Sequence, residues 1–529
     1  MAVTTEKGAI KNPILKGFNP DPCILRVDDM YYIVVSSFEW LPGLRVYRSR
    51  DLVSWEHFTD LLTDQVDLRG NPKNCSIWAP QLSYCDSLFY LLYTDVKSTK
   101  RPFKDAHNYL ITAESLEGPW SEPVYLNSSG FDPSLFHDED GRKWLLNALW
   151  DYRITEGNKS SGIVIQEYDP GQRRLVGKPY KLFDCTWLKK TEAPHIYKRG
   201  GFYYLMTAEG GTGSGHAVTV ARSRELLGAY EVDPLNPMLT SRERPELALQ
   251  CAGHGSLVQT PEGKWYMAHL CTRPVEGQYA ILGRETALQH VYWDEEGWLR
   301  LTGGGSDPRT EVPAPQGAEV SERTERHIFE DAFDGEQLNK TWNTLRILAD
   351  ESWCSQRERP GFLRIRAGES PQSMFRQHMV AIRQTDVRFR AETAFEFAPE
   401  SYLQMAGLML YLNEDNYLYA YATHEEGQGK VLRMMRCAAD EFTLLPVIVP
   451  VRGDAPVRLS VEVDGTEARF YYRTGIGEEK WRPLHETIGI GFLSGGFTGN
   501  FIGIAVHDMQ QFQGVYADFA YFRYEGKDE

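Results

Sequence analysis

The chain has no run of residues long and apolar enough to span a bilayer, so no membrane partner is expected. Its opening residues, Met-Ala-Val-Thr-Thr-Glu-Lys, lack the basic start and apolar stretch of a signal peptide, and a cytoplasmic location is the expectation. Basic residues are in deficit: 57 Lys and Arg face 73 Asp and Glu, a formal net charge of −16. That balance disfavours polyanions and removes nucleic acid from the expected partners. The eight cysteines (Cys23, Cys75, Cys85, Cys185, Cys251, Cys271, Cys354 and Cys437) contain no C-x-x-C pair and read as free thiols. The 13 histidines contain no H-E-x-x-H spacing for zinc. Gly253-His254-Gly255-Ser256 lacks the G-x-S-x-G nucleophile elbow. Gly210-Gly211-Thr212-Gly213-Ser214-Gly215 lacks the lysine and strand-to-helix setting of a phosphate loop, and reads as a flexible loop.

What is present is a repeat. Asp21-Pro22-Cys23-Ile24 returns as Ala79-Pro80-Gln81-Leu82, Asp132-Pro133-Ser134-Leu135, Ala193-Pro194-His195-Ile196 and His254-Gly255-Ser256-Leu257. Each copy is followed by an aromatic in an apolar run: Tyr31, Phe89, Trp144, Tyr203 and Trp265, which stand 58, 55, 59 and 62 residues apart. Between copies the chain alternates Asp/Gly turns with short strand-like runs, such as Tyr31–Val35, Phe89–Tyr93 and Tyr203–Met206. Strand, turn and strand at a near-fixed period predict five sheets, each of four strands, around one axis: a five-bladed β-propeller. If every repeat opens with its innermost strand, the shared motif faces the central channel.

At 529 residues the chain exceeds one ordinary core, so two domains are expected. The period fades after Trp298-Leu299-Arg300-Leu301 and a Gly/Pro-rich stretch follows. We divide the chain into a propeller over 1–305, a linker over 306–327 and a second domain over 328–529. The second part shows no helical periodicity but alternating runs such as Val387–Thr393, Leu408–Leu412 and Val457–Val463. It reads as an all-β sandwich, a concanavalin-like jelly roll.

Three repeats carry a carboxylate at or beside the shared position: Asp21, Asp132 and Glu192. Taken singly, Asp21 between prolines reads as a turn residue and Glu192 as a solvated surface group. Their common register makes them candidates for one convergent site. Crowded negative charge makes one carboxyl hold its proton longer, which divides labour into a protonated acid, an ionised base and a third group that tunes and orients. His254, opening the fifth copy, suits a structural imidazole, a ligand for a central ion or a positive partner for the carboxylates.

Together these residues resemble glycoside hydrolase family 43, in its branch of two-domain β-xylosidases. The resemblance is carried by Asn12 to Pro22, Ser37 to Gly43, Ile77-Trp78-Ala79-Pro80, Tyr93 to Lys97, Gly130 to Ser134, Thr191 to His195, Ala252 to Ser256, Gly283-Arg284-Glu285-Thr286 and Gly495 to Gly499. It implies an inverting mechanism with Asp21 as general base, Glu192 as general acid and Asp132 orienting Glu192 and raising its pKa. It further implies that Arg284 bonds the glycone hydroxyls and His254 sits beneath the pocket. Phe38, Trp40 and Trp78 would line it, with a sandwich loop near Phe497 reaching over the mouth. One departure is Gln81, where family members often have His, and an effect on the leaving-sugar side is expected there. Some members hold a central calcium through the equivalent of His254, so a structural or activating Ca2+ is a possible cofactor, with none required.

The leading expectation is therefore an exo-acting β-1,4-xylosidase that releases xylose from the non-reducing end of short xylo-oligosaccharides. The alternatives are an α-L-arabinofuranosidase, alone or as a dual activity, and a non-catalytic carbohydrate-binding propeller. A binding propeller would need the rings without the carboxylates, and all three carboxylates are present. Family resemblance also points to a homodimer or homotetramer.

Overall fold

The computed structural model describes residues 8–318, 327–453, 455–475, 480–510 and 514–527. The N-terminal heptapeptide read for a signal sequence, and residues 319–326 of the expected linker, lie outside the described residues. Among the described residues there is no helix, and the chain is all-β.

Each repeat folds as an antiparallel meander. Blade one runs Cys23–Val27, Met30–Val34, Leu44–Ser49 and Glu56–Leu61, and blade two runs Ser76–Cys85, Leu88–Ser98, Asp105–Ala113 and Val124–Asn127. Blade three is Gly130–His137, Lys143–Trp150, Ser160–Asp169 and Arg174–Phe183. Blade four is Glu192–Arg199, Phe202–Glu209, Ala217–Ser223 and Glu231–Val232, with Leu239–Thr240 as a fifth strand. Blade five is Gln250–Gln259, Trp265–Thr272, Glu285–Trp293 and Leu299–Leu301. The first strands of neighbouring blades lie side by side, and those of blades five and one close the ring into a five-bladed propeller.

Inner strands of neighbouring blades do not share a ladder, so their facing groups need other partners. One side chain per junction supplies them. Cys23 Sγ accepts from Leu82 N at 3.4 Å, and Gln81 Oε1 accepts from Leu135 N at 3.2 Å. Ser134 Oγ donates to Pro194 O. Tyr197 OH accepts from Leu257 N at 2.9 Å, and Ser256 Oγ accepts from Ile24 N at 3.1 Å. Gln81 therefore serves the junction of blades two and three and is not among the pocket-lining residues, contrary to the expected effect on the leaving-sugar side.

The first part of the expected linker is fastened to the propeller. Glu311–Pro313 pairs with Ala9–Lys11, Ser306 O accepts from Thr240 N, and Val312 is buried beside Ile10 and Tyr266. A strand holding proline needs fewer ladder donors, so a Pro-rich stretch can still close a two-stranded sheet at an edge. All eight cysteines are free.

Among the described residues the second domain stacks two sheets of nine strands each, one of which is completed by a strand from the propeller. Period-two alternation in its central strands serves two cores at once. Leu408, Leu410 and Ile502 point between the sheets with Phe389 and Phe395, whereas Met409, Tyr411 and Phe501 point at the propeller. There they share one buried cluster with Phe18, Phe38 and Trp40.

This position corrects the reading of Trp40 as a pocket wall. Trp40–Leu41 pairs with Asn343–Leu345, so a propeller segment forms the edge strand of a sandwich sheet. The indole is 1% exposed, stacks on Phe501 at 3.6 Å and meets Tyr411 edge-on. Around this wedge, Arg346 N donates to Glu39 O, Arg346 Nε to Asn71 O at 2.7 Å, and Arg346 Nη2 to Glu414 Oε2 at 3.0 Å. Trp40 acts on the joint between domains.

Trp40→Ala should therefore destabilise the fold by about 3–5 kcal/mol, the usual cost of emptying a buried Trp or Phe site. Thermal and urea unfolding would register this; unchanged stability with weakened sugar binding would return Trp40 to the pocket.

Candidate active site

Every copy of the repeat bends its inner strand at the same place. Asp21, Ala79, Asp132, Ala193 and His254 all take positive φ, at 53°, 34°, 55°, 48° and 57°. In blades two to five the ladder slips there, between Trp78 and Gln81, Phe131 and Ser134, Glu192 and His195, and Gly253 and Ser256. These are β-bulges, which re-aim side chains where pairing breaks. In four copies the next residue is proline, which lacks a ladder N–H and bars its predecessor from the right-handed α conformation.

The bulges gather the three carboxylates into one cavity of about 380 Å³, whose walls include Phe38, Trp78, Phe131, Trp150 and Phe497, with His254 and Arg284 beside Asp21. Eight of the nine residues expected at the site thus meet in one pocket, and Trp40 is the exception.

Asp21 is buried. Its Oδ2 accepts from Ser36 Oγ at 2.7 Å, its Oδ1 accepts from Arg284 Nη1 at 2.7 Å, and His254 Nδ1 lies 3.6 Å from Oδ1. Burial pushes its pKa up, but the Arg284 guanidinium, His254 and the Ser36 hydroxyl outweigh it, so Asp21 titrates below the usual carboxylate range. Ser36 Oγ also accepts from Ala79 N at 2.7 Å, locking the base to the neighbouring bulge.

Asp132 and Glu192 are pushed the other way. Burial raises Glu192 to about 7; the Asp21 charge adds to this, while Lys104, Arg284 and Lys190 oppose it. Burial, then Glu192 and Asp21, lift Asp132 well above its ordinary value. The two carboxyls form a pair that holds a proton near neutrality. Asp132 Oδ2 accepts from Ala193 N at 3.2 Å, so it anchors the peptide that follows Glu192. Asp132 N donates to Thr94 Oγ1 at 3.2 Å, a contact matching that of Ala79 with Ser36 one blade earlier.

The sandwich completes the mouth. Phe497 N donates to Asn74 Oδ1 at 2.9 Å, its carbonyl accepts from Arg284 Nε at 3.1 Å, and its ring lies 6.0 Å from Phe38 and 5.6 Å from Trp78. Gly283, at φ +74°, permits this closure: a Cβ there would stand 2.6 Å from Gly499 Cα.

Several functional residues lie outside the sequence repeat and were not legible from it. Lys104 Nζ sits over Phe131, Trp150 and Trp78 at 3.9, 4.2 and 4.8 Å from their ring centroids. Burial lowers its pKa to about 8, while Glu192 and Asp132 favour its charge. Gly211 and Thr212 line the pocket, so the glycine-rich segment read as a flexible loop is part of its wall. Glu209 is fully buried, and its carboxylate accepts from Thr186 N at 2.9 Å, from Thr186 Oγ1 and from Thr191 Oγ1 at 2.7 Å. It pins both ends of the loop that delivers Glu192, whose ladder partner is Ala208. Only its strand position next to Ala208 could have hinted at this.

His254 faces a carboxylate already engaged by Arg284, with the His195 and His216 imidazoles held neutral by burial nearby. Calcium requires six to eight oxygen ligands. Among the described residues no group of three or more His, Cys, Asp or Glu is arranged to hold a metal, so an ion beside His254 would have to take most of its ligands from water.

An ionised carboxylate and a proton-holding carboxyl pair in one aromatic-walled pocket form an acid–base site of the kind that cleaves glycosidic bonds. Comparison with known proteins makes the class specific. Residues 10–299 match the model of glycosyl hydrolases family 43, and residues 330–525 match the beta xylosidase C-terminal concanavalin A-like domain. A beta-xylosidase of Bacillus subtilis (strain 168) is 44% identical, covering 98% of this chain and 100% of the relative. A xylosidase/arabinosidase 43B of Humicola insolens is 43% identical, covering 97% of each. The crystal structure of xylan beta-1,4-xylosidase from Bacillus halodurans C-125 aligns with a TM-score of 0.94 at 48% identity, covering 98% of this chain and 100% of that one. The chain belongs to glycosyl hydrolase family 43 and is a glycoside hydrolase.

Glu209→Ala should loosen the loop before Glu192 and reduce kcat/KM on the order of 10²-fold, the scale of a small misplacement of a reacting group. The loss should be smaller for dinitrophenyl glycosides, whose leaving group needs no proton; an equal loss on both would mark Glu209 as merely structural.

Proposed function

We propose that the protein is an exo-acting, inverting β-1,4-xylosidase that removes xylose from the non-reducing end of short xylo-oligosaccharides. The observation that carries this reading is the opposite displacement of two carboxyls in one pocket, Asp21 held ionised and Glu192 lifted to about 7. The names of its relatives support the choice of sugar.

In this mechanism Asp21 accepts a proton from a water molecule as the water oxygen bonds to the anomeric carbon. Glu192 gives its proton to the glycosidic oxygen while the carbon–oxygen bond breaks, and the electron pair leaves with that oxygen. Glu192 is only half-buried, whereas Asp132 is buried and bonded to the peptide N–H of Ala193, so Glu192 is the donor that substrate reaches. Solvent exchange then resets both groups. Arg284 commits Nη1 to Asp21 and Nε to Phe497, which leaves Nη2 for a glycone hydroxyl. A pocket whose mouth is bounded by the Phe497 segment favours removal of one terminal sugar. A second reading, arabinofuranosidase activity at the same site, is favoured by the relative named xylosidase/arabinosidase, and paired nitrophenyl glycosides would measure the ratio. We further propose a cytoplasmic location and a homodimer or homotetramer, to be checked by fractionation and sedimentation velocity.

Proton NMR during xylobiose hydrolysis should show α-xylose first, and β-xylose first would overturn the mechanism. Asp21→Ala and Glu192→Ala should each lose about 10²–10⁴-fold in kcat/KM.

The pH profile follows from the same shifts. Asp21 must be ionised and its pKa is lowered, so the acid limb should fall below the ordinary carboxylate range. Glu192 must be protonated, so activity should decline as pH rises through about 7. A profile still rising above pH 8 would contradict this assignment.

A further inference from the structure

Two large exposed rings touch each other on loops whose neighbouring residues line the pocket. Phe103 is 57% exposed and Tyr152 is 56% exposed, with centroids 5.2 Å apart and planes inclined at 44°. Single exposed aromatics are common, but a contiguous pair beside a binding cavity calls for a ligand.

The pair bridges two loops that both reach into the pocket. Phe103 lies between Arg101 and Lys104, and Tyr152 follows Trp150 by two residues; Arg101, Lys104 and Trp150 all line the cavity. Trp150 Nε1 donates to Pro102 O at 3.1 Å, strapping the loops together. Tyr152 sits in a built turn, where Asp151 accepts from Arg153 N, Nε and Nη2 at 3.0, 2.8 and 2.7 Å. Asp151 N donates to Lys159 O at 2.8 Å, closing the base of that turn. The backbone that carries the two rings is thus braced by hydrogen bonds, which lowers the ordering cost of binding.

Its side of the pocket is defined. The Lys104 ammonium, next to Phe103, lies over Phe131 and Trp150, and Phe131 precedes Asp132. The loop of Tyr152 belongs to blade three, which carries Asp132, and that of Phe103 to blade two beside it, so the rings stand on the flank of the Asp132–Glu192 pair. On the proposed reaction the leaving oxygen faces Glu192, so the remainder of the chain exits on that flank.

We infer that Phe103 and Tyr152 form a stacking platform for the leaving part of a xylo-oligosaccharide, taking the apolar C–H face of a pyranose ring beyond the scissile bond. Pyranose rings and aromatic rings are both flat and apolar on their faces, so the match is one of shape and hydrophobic area. The inference rests on the proposed xylosidase reading and adds a chain-length preference to it. Binding energy from this remote ring is available to the transition state, so it would appear in kcat/KM.

The test compares kcat/KM for p-nitrophenyl xyloside, xylobiose, xylotriose and xylotetraose in the wild type, Phe103→Ala, Tyr152→Ala and the double variant. The expected result is a fall of about tenfold in the ratio of oligosaccharide to aryl-xyloside kcat/KM, the scale of one aromatic contact of about 1.4 kcal/mol. Phe103→Trp should restore the ratio. Displacement of the neighbouring Lys104 would depress all substrates together and leave the ratio unmoved. An unchanged ratio overturns the inference while leaving the xylosidase reading intact. A wild type that cleaves no xyloside overturns that reading instead. A change in sedimentation coefficient with an unchanged ratio would assign the rings to a subunit contact and also end the inference.

Discussion

Five residues in the left-handed region, one per blade at the same place, are the constraint on which the site depends. An L-residue there is strained, at a cost of order 1–3 kcal/mol each. The fold holds them through neighbours rather than through their own ladders. Ser36 captures the N–H of Ala79, Thr94 that of Asp132, and Asp132 that of Ala193. Three of the five are thus fixed by a group from the preceding blade. The catalytic carboxylates belong to this lattice, since Asp21 and Asp132 are themselves two of the five positive-φ residues and Glu192 precedes a third. Support of the backbone and placement of the chemistry are the same interactions.

The electrostatic asymmetry follows from which blades supply cations. Blade five brings Arg284 against Asp21, and its charge, helped by the Ser36 hydroxyl and the His254 imidazole, outweighs the burial that would otherwise protonate it. Blade two brings Lys104 toward Asp132 and Glu192, but its pull on the pair is outweighed by their burial, so it moderates the pair without ionising it. Similar carboxyls at equivalent positions of the repeat thereby acquire opposite proton affinities. A symmetric propeller could not achieve this.

Much of this was legible because repetition amplifies weak signals. Asp21 alone is a turn residue; Asp21 in register with Asp132 and one residue from the register of Glu192 is a site. The four-stranded blades and the sandwich followed from alternation and turn chemistry in the same way. Trp40 was misplaced because an aromatic near the motif looks identical whether it faces sugar or a second domain. Its role is set by Phe501 and Tyr411, hundreds of residues away. The Pro-rich stretch around Val312 reads as linker by composition, yet three ladder partners and one buried side chain fasten it. Lys104 and Glu209 escaped notice because they stand outside the repeated motif, where charged residues are ordinarily solvated. Only the blade geometry turns them inward.

The role of the sandwich can be decided from what the propeller would be without it. Phe18, Phe38 and Trp40 would lose the face that Phe501, Tyr411 and Met409 cover, leaving a contiguous apolar patch of the kind soluble monomers avoid. Arg284 would lose the Phe497 carbonyl that orients its Nε, and the guanidinium that keeps Asp21 ionised would be free to swing. Asn74 would lose the partner that fixes it beside Trp78, whose indole donates to the Asn74 carbonyl at 3.1 Å. The second domain therefore acts on the reaction through the propeller's own residues. It buries the joint, roofs the pocket and holds the arginine that sets the charge of the base.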